Sequence, residues 1–432
     1  MPRLPGARFA PDCAIEVDGH LVPARAGESV AVALVAAGRP LVARSAKYHR
    51  PRGPFCLAGS CHQCLARVDG LPNQRTCRIA CRPGLVVESQ NAIPSARRDV
   101  LGTIDAVYRS GLDHHHLMTW NRLANRAAVA ISRQLAGLGR IPDAAPAAHP
   151  PVVEERFDAL VVGGGPAGLG AAEALARAGQ RLLLVEGDRT LGGHLRCMLA
   201  LPGDPPESWA PEVAAAVEAR GGEVALATAA IGLWLDGGSP VVALAASEPH
   251  PRLRLARAPR VVLATGSFAA PPVFPRNDLP GIFAGRGVAR ALAEDGLIPG
   301  ERVVLSGERA ETAAIAALLG AAGAHVVQVK EVAAAHGHTR LRRVTLPGGE
   351  AVRCDALVHA GPRVPASELA RAAGAKVAWD PESGGWHVTA GRDGSTGVAG
   401  LWVAGEIAGI HGAAEAADAG RRAGEDASDT RH

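Results

Sequence analysis

The mostly apolar short run Ala14-Ile15-Glu16-Val17 meets the tight-turn pair Asp18-Gly19, and a second such run, His20-Leu21-Val22-Pro23-Ala24, follows, so a β-hairpin is predicted over 13–24. The spacing then lengthens. Val30, Val32, Leu34 and Val35 predict a helix opened by Glu28-Ser29 and stopped at Gly38-Arg39-Pro40. Further strands are predicted at 65–69 and 85–88, with one short strand and the turn Asp69-Gly70 between Cys64 and Cys77. Over 93–150 glycine thins out, and Leu123, Ala127, Ala130, Ile131 and Leu135 fall at helical spacing before Gly137-Leu138-Gly139. A Pro- and Ala-rich stretch over 141–151 marks a boundary. From Phe157, apolar runs at 157–163, 181–186, 260–265, 302–305, 325–329 and 355–359 alternate with helical patterns, which predicts an α/β fold with parallel sheets. The expected organisation is a small β-rich domain over 1–92, a helical connector and linker over 93–150, and two nucleotide-binding folds. One of these is split between 151–273 and 390–432, and the other occupies 274–389.

Composition narrows the class. At 432 residues the chain is too long for one ordinary domain, and 47% hydrophobic with 20% charged residues is a globular balance. No apolar run approaches the roughly 20 residues of a spanning helix, so no transmembrane segment is expected. The amino terminus lacks the pattern of a secretory signal, which predicts a cytoplasmic protein. The net charge is +4 and the basic residues are scattered among 42 acids, so no nucleic-acid partner is expected. Of eight cysteines, five lie between Cys56 and Cys81, which favours a metal site over disulfides.

The run Cys56-Leu-Ala-Gly59-Ser-Cys61-His-Gln-Cys64 spells C-x4-C-x2-C, and Cys77 follows after twelve residues. Four thiolates are what a [2Fe–2S] cluster takes, and the first gap is that of the plant-type loop rather than of the two C-x2-4-C knuckles usual for zinc. Cys56, Cys61, Cys64 and Cys77 are therefore the expected ligands, with Cys81 a rival for the fourth place and Cys13 read as a core residue. The preceding Lys47-Tyr48-His49-Arg50-Pro51-Arg52-Gly53 is a basic loop that either faces solvent, offsets cluster charge or docks an electron partner.

The strand 157–162 runs into Gly163-Gly164-Gly165-Pro166-Ala167-Gly168 and then an Ala-rich helix, a G-x-G-x-x-G fingerprint in its strand–turn–helix setting. Glycines there let the backbone approach a pyrophosphate at the helix N-terminus, and Glu186 ends the next strand where a ribose-binding acid belongs. FAD and NAD share this fingerprint. Gly192-Gly193-His194-Leu195, Val262-Leu263-Ala264-Thr265-Gly266 and Leu401-Trp402-Val403-Ala404-Gly405-Glu406 together resemble the FAD domain of two-dinucleotide flavoproteins, a resemblance that implies contacts from Gly193, Thr265, Gly266 and Gly405 and a late acid, Glu406, near the flavin's ribityl and phosphate groups. The second fold, from Arg302 to Lys330, keeps only Gly307 of its glycines, and the bulky acids Glu308 and Glu311 disfavour a pyrophosphate, so NAD(P) is not the expected occupant.

Nearly the whole chain resembles the amino-terminal half of the alpha subunit of heterotetrameric sarcosine oxidase and its relatives in multisubunit opine, hydroxyproline and hydrogen-cyanide-forming dehydrogenases. The stretches 47–53, 136–139, 264–266, 273–274 and 277–281 carry the resemblance. It implies a β-grasp [2Fe–2S] domain followed by a two-dinucleotide-domain flavoprotein module. It also implies an electron-transfer subunit of a heteromeric amine or imino-acid dehydrogenase or oxidase, partnered by a D-amino-acid-oxidase-like FAD subunit and an external electron carrier. Two departures bear on this. The chain ends soon after the FAD block, without the folate-binding half of a full alpha subunit, and His62 stands where these loops commonly have glycine. No Ser/His/Asp nucleophile set is read and no catalytic residue is named; the run His114-His115-His116 is read as a linker feature. The rival readings are a self-contained NAD(P)H-dependent reductase and a non-catalytic scaffold or sensor.

Overall fold

The predicted hairpin forms from β1 (Cys13–Val17) and β2 (His20–Ala24), antiparallel across Asp18-Gly19, where both residues take positive φ (50° and 76°). This is the computed structural model of the chain, and it describes residues 3–46, 48–103, 121–135, 151–197, 203–206, 208–246, 252–307 and 310–429. Lys47, the run His114-His115-His116, Gly137-Leu138-Gly139, most of the Pro/Ala-rich stretch and Glu308 lie outside the described residues. Helix α1 (Val30–Ala36) starts at Ser29, whose Oγ accepts the Val32 amide at 3.2 Å. Every residue from Val30 to Val35 is buried, so this helix is covered all round rather than on one side. Strands β3 (Leu65–Val68), β4 (Leu71–Arg75) and β5 (Val86–Glu88) complete a five-stranded sheet in the order β2-β1-β5-β3-β4, with β1 and β5 parallel. The sequence predicts only one strand between Cys64 and Cys77. β4 escapes it because none of its residues is buried, which leaves no apolar alternation to read. In the connector, α2 (Arg122–Leu135) occupies the predicted helix, but Leu123 and Ala127 on its apolar side are exposed.

From Phe157 the chain forms β6 (Ala159–Val162), α3 (Pro166–Arg177), β7 (Leu182–Val185), β8 (Glu223–Ala225) and β9 (Val261–Leu263). With the late strand Leu401–Val403 they make an all-parallel sheet in the order β8-β7-β6-β9-401–403. Apart from the edge strand β8, its strands read as unbroken apolar runs because both faces are covered. Ala159 and Val161 face a core shared with α3 and the carboxyl-terminal helix Ala413–Asp429, whereas Leu160 and Val162 face Leu233, Val242 and Leu244 of a separate four-stranded sheet. The two helices meet at backbone distance: a Cβ on Gly420 would lie 1.9 Å from the Ala167 carbonyl oxygen, and one on Gly170 would lie 2.2 Å from that of Ala417.

A second parallel sheet comprises β10 (Ile282–Ala284), β11 (Arg302–Ser306), β12 (His325–Val329) and β13 (Ala356–His359), ordered β10-β13-β11-β12, with α4 (Gly285–Asp295) and α5 (Ala310–Ala321). The chain as a whole divides into two compact units, Met1–Pro146 with Pro271–Gly361 and Ala147–Ala270 with Pro362–His432. The β-grasp sheet and this second nucleotide fold therefore share a unit.

His359 ends β13 with Nδ1 2.9 Å from the Ser306 Oγ, and burial lowers its pKa to about 4. An imidazole held neutral in the fold but free to protonate near 6.5 when unfolded stabilises fully above about 6.5, and that stability is lost as pH falls toward 4. Between pH 7 and pH 5 the unsubstituted chain should lose about 2 kcal/mol through this group alone. Denaturant titrations at both pH values should show a smaller loss for His359→Asn; equal slopes for the two proteins would refute the assignment.

Candidate cofactor sites

The cysteine loop follows the strand pair Ala43–Arg44 and Pro51–Arg52 and turns through three positive-φ residues, Leu57 (51°), Gly59 (85°) and His62 (56°). His62 thus adopts the conformation that favours glycine, which is the physical reason a glycine suits this position of the loop. The turns bring four thiols together: Cys56 hydrogen-bonds with Cys61 and Cys77, and Cys77 with Cys64. The amides of Ala58 and Ser60 donate to Cys56 Sγ at 3.4 and 3.3 Å. Hydrogen bonds from Cys61 and Cys77 hold the Cys56 thiol well below its ordinary pKa, and one from Cys77 brings Cys64 to about 7; Cys61 and Cys77 are raised in turn. Inward-facing thiols with backbone amides aimed at sulfur are a donor set that fits a [2Fe–2S] cluster. Among the described residues no three His, Cys, Asp or Glu side chains gather as a single ion requires; a binuclear cluster asks instead for two thiolates on each iron.

Cys77, not Cys81, is the fourth thiol brought to the loop. Cys81 is packed with Ile15, Leu34 and Leu85 in the β-grasp core, and burial pushes its pKa up to about 12. Cys13 lies partly buried against the same core. The basic loop is bound rather than solvated. His49 is buried with Nδ1 2.8 Å from Asp99, Arg50 stacks on Tyr48, and Arg52 pairs with Asp278. A Cβ on Gly53 would fall 2.9 Å from that of Pro280. Two stretches singled out in the sequence, 47–53 and 277–281, are therefore in contact with each other.

The glycine fingerprint sits at the carboxyl end of β6. Gly163 has φ 107°, and a Cβ there would meet the Ala264 carbonyl oxygen at 2.3 Å. At Gly168 a Cβ would lie 1.7 Å from the Gly163 oxygen, and at Gly193, 2.9 Å from the Gly165 Cα. Gly405, at φ 82°, comes equally close to Ala167. Gly165 caps α3 and Pro166 opens it, so the first amides of that helix are presented at the turn. Glu186, at the end of β7, accepts the Gly164 amide on Oε2 and the Asp188 amide on Oε1, both at 2.7 Å, and burial raises its pKa. Thr265 donates its hydroxyl to the Ala366 oxygen at 2.7 Å, beside Gly266 at φ 68°. Glu406 accepts from Ser267 and Arg363, each at 2.7 Å, so this acid is charge-compensated. Arg363 and Ser267 are partners of Glu406 that the sequence does not reveal, because the antiparallel pair Ser267–Ala269 and Arg363–Pro365 brings together positions far apart in the chain. Glycines packed this closely around the turn, with backbone left uncovered at Gly165, fit a pyrophosphate-bearing dinucleotide.

Over residues 11–92 the chain matches the 2Fe-2S iron–sulfur cluster binding domain, and over 157–327 the pyridine nucleotide-disulphide oxidoreductase family. The sarcosine oxidase alpha subunit of Rhizobium meliloti (strain 1021) is 30% identical to it over 435 aligned positions, covering 88% of this chain. The chain resembles the sarcosine oxidase alpha subunit. It spans only 44% of that relative's length. An 80-residue stretch, 18% of this chain and 76% of the relative, is 40% identical to hydrogen cyanide synthase subunit HcnA of Pseudomonas aeruginosa. The crystal structure of L-proline dehydrogenase from P. horikoshii shares the fold, with a TM-score of 0.75 at 22% identity over 98% of this chain and 74% of that one. The chain is thus an oxidoreductase with a [2Fe–2S] cluster and FAD as its cofactors. Among the described residues no helix is long and apolar enough to cross a membrane.

In the second nucleotide fold, Gly307 (φ 133°) packs so that a Cβ would lie 2.4 Å from the Ala360 oxygen. Glu311 does not stand as the bare charge its sequence position suggests: both its oxygens accept from Arg286 Nε at 2.9 Å, because Arg286 lies in the first turn of α4. The expected charge repulsion of a pyrophosphate is therefore weakened at Glu311.

Proposed function

We propose that this chain is the electron-relay subunit of a heteromeric dehydrogenase or oxidase acting on an amine or imino acid. A D-amino-acid-oxidase-like flavoprotein partner removes electrons from the substrate, and this chain passes them to an external carrier. The observation that carries the reading is the presence, in one chain, of a complete glycine cradle with its buried acid and a four-thiol loop with amides aimed at sulfur. Cys56, Cys61, Cys64 and Cys77 hold the cluster. Gly163, Gly165, Pro166, Ala167 and Gly168 cradle the FAD pyrophosphate; Glu186 takes the ribose; Gly193, Thr265, Gly266 and Gly405 line the remainder; and Glu406 faces the ribityl chain. When bound, FAD exchanges electrons in pairs and the cluster exchanges them singly. The chain's own residues position and screen. The amides of Gly164 and Asp188 orient the Glu186 carboxylate, the N-terminus of α3 favours the pyrophosphate charge, and Arg363 and Ser267 hold the Glu406 carboxyl group in place.

An anaerobic absorbance titration tests this. NADH added to the purified chain should leave the flavin band unbleached, whereas a candidate amine should bleach it once the co-purified partner is present. Full bleaching by NADH without any partner would replace the relay by a self-contained reductase.

A further inference from the structure

Helix α4 of the second nucleotide fold meets the backbone of the first cluster thiol at three residues spaced along one of its sides. Ala284, its N-cap, donates its amide to the Phe55 oxygen at 2.9 Å. At Gly287, three residues on, a Cβ would lie 2.2 Å from the Cys56 oxygen, so a side chain there would force helix and loop apart. After three more, Arg290 donates from Nη2 to the Leu57 oxygen at 2.7 Å. The consecutive carbonyls of Phe55, Cys56 and Leu57 thus rest on one side of α4, while Arg75, from β4, takes the Gly59 oxygen.

Charge gives this seat a consequence. Taking up one electron reduces one of the cluster's two ferric ions to ferrous and adds one negative charge, so a cation held nearby stabilises the reduced form more than the oxidised one. The N-terminus of α4 brings roughly half a positive charge to Cys56. Arg290 adds a guanidinium cation, half-buried and fixed to the adjacent carbonyl. We propose that Arg290, a residue of the second nucleotide fold, is a positioning residue that raises the reduction potential of the cluster, and that Gly287 is what lets it approach. The inference rests on the cluster being held by Cys56, Cys61, Cys64 and Cys77.

The test is a dithionite titration of the full chain as isolated with its cluster, followed by electron paramagnetic resonance of the reduced form. At the potential where the unsubstituted cluster is half reduced, Arg290→Met should lower the ratio of reduced to oxidised cluster roughly tenfold, a 59 mV shift for a one-electron couple. Arg290→Lys, which keeps the charge, should stay within about threefold. A ratio within twofold of the unsubstituted chain for Arg290→Met overturns the inference. Should that variant hold no cluster, Arg290→Lys decides: a ratio within threefold supports the role of charge, and a tenfold fall overturns it. A missing reduced-cluster signal in the unsubstituted chain would overturn the ligand assignment and this inference together, whereas an intact signal indifferent to Arg290→Met removes this inference alone.

Discussion

Cys64→Ser should leave the chain with less than about a tenth of its cluster, while Cys81→Ala should keep it. Cys64 is buried and hydrogen-bonded to Cys77, with a pKa brought to about 7, so a thiolate is accessible there near neutral pH. A serine hydroxyl at that position stays protonated and is a poor iron ligand. Cys81 differs by place rather than chemistry. Packed with Ile15 and Leu34 and pushed to about 12, it behaves as a small apolar side chain, and trimming it to alanine should cost about 1 kcal/mol of stability. Visible absorbance, iron content and low-temperature paramagnetic resonance of both variants measure the contrast. Equal cluster loss in the two would mean that Cys81 takes part in ligation.

The glycine cradle offers a similar contrast between two adjacent tasks. Gly168→Ala should abolish FAD binding and also lower the melting temperature of the flavin-free chain, because the new Cβ would sit 1.7 Å from the Gly163 oxygen and must drive α3 away from its strand. Gly165→Ala should act on the cofactor alone. Its Cβ would find no protein atom nearer than the Gly193 Cα at 4.0 Å, so the fold tolerates it, but it would project where the pyrophosphate must approach the backbone. A fall in FAD affinity of at least about a hundredfold, or about 2.7 kcal/mol, is expected in both. Isothermal titration with FAD and thermal denaturation of the apoprotein separate the two effects. A Gly165→Ala chain that binds FAD normally would move the pyrophosphate elsewhere.

What could be read from the sequence follows from how local the controlling physics is. The hairpin over 13–24, the strand into Gly163 and the thiol spacing are set by neighbours a few residues apart, and each appears where the pattern predicts it. β4 was not legible because its residues are unburied. The contact of Arg290 with Leu57, the pairing of Arg363 with Glu406 and the meeting of Arg52 with Asp278 join positions more than forty residues apart, and single arginines give no periodic signal. The packing of the basic loop is hidden for the same reason: His49 reads as one more polar residue until Asp99 is placed beside it. In the second nucleotide fold, the missing glycines were visible, but Arg286, the counter-charge to Glu311, was not.

The first unit is assembled from two lengths of chain, Met1–Pro146 and Pro271–Gly361, separated in sequence by residues 147–270 of the second. A single cut in the connector would therefore not free an independent ferredoxin. The amino-terminal fragment would remain joined through the Arg52–Asp278 pair, the bidentate Arg3–Glu28 clamp that also reaches the Asp295 oxygen, and the seat on α4. The cluster domain is thus fastened to a later length of its own chain, at the helix that bears Gly287 and Arg290.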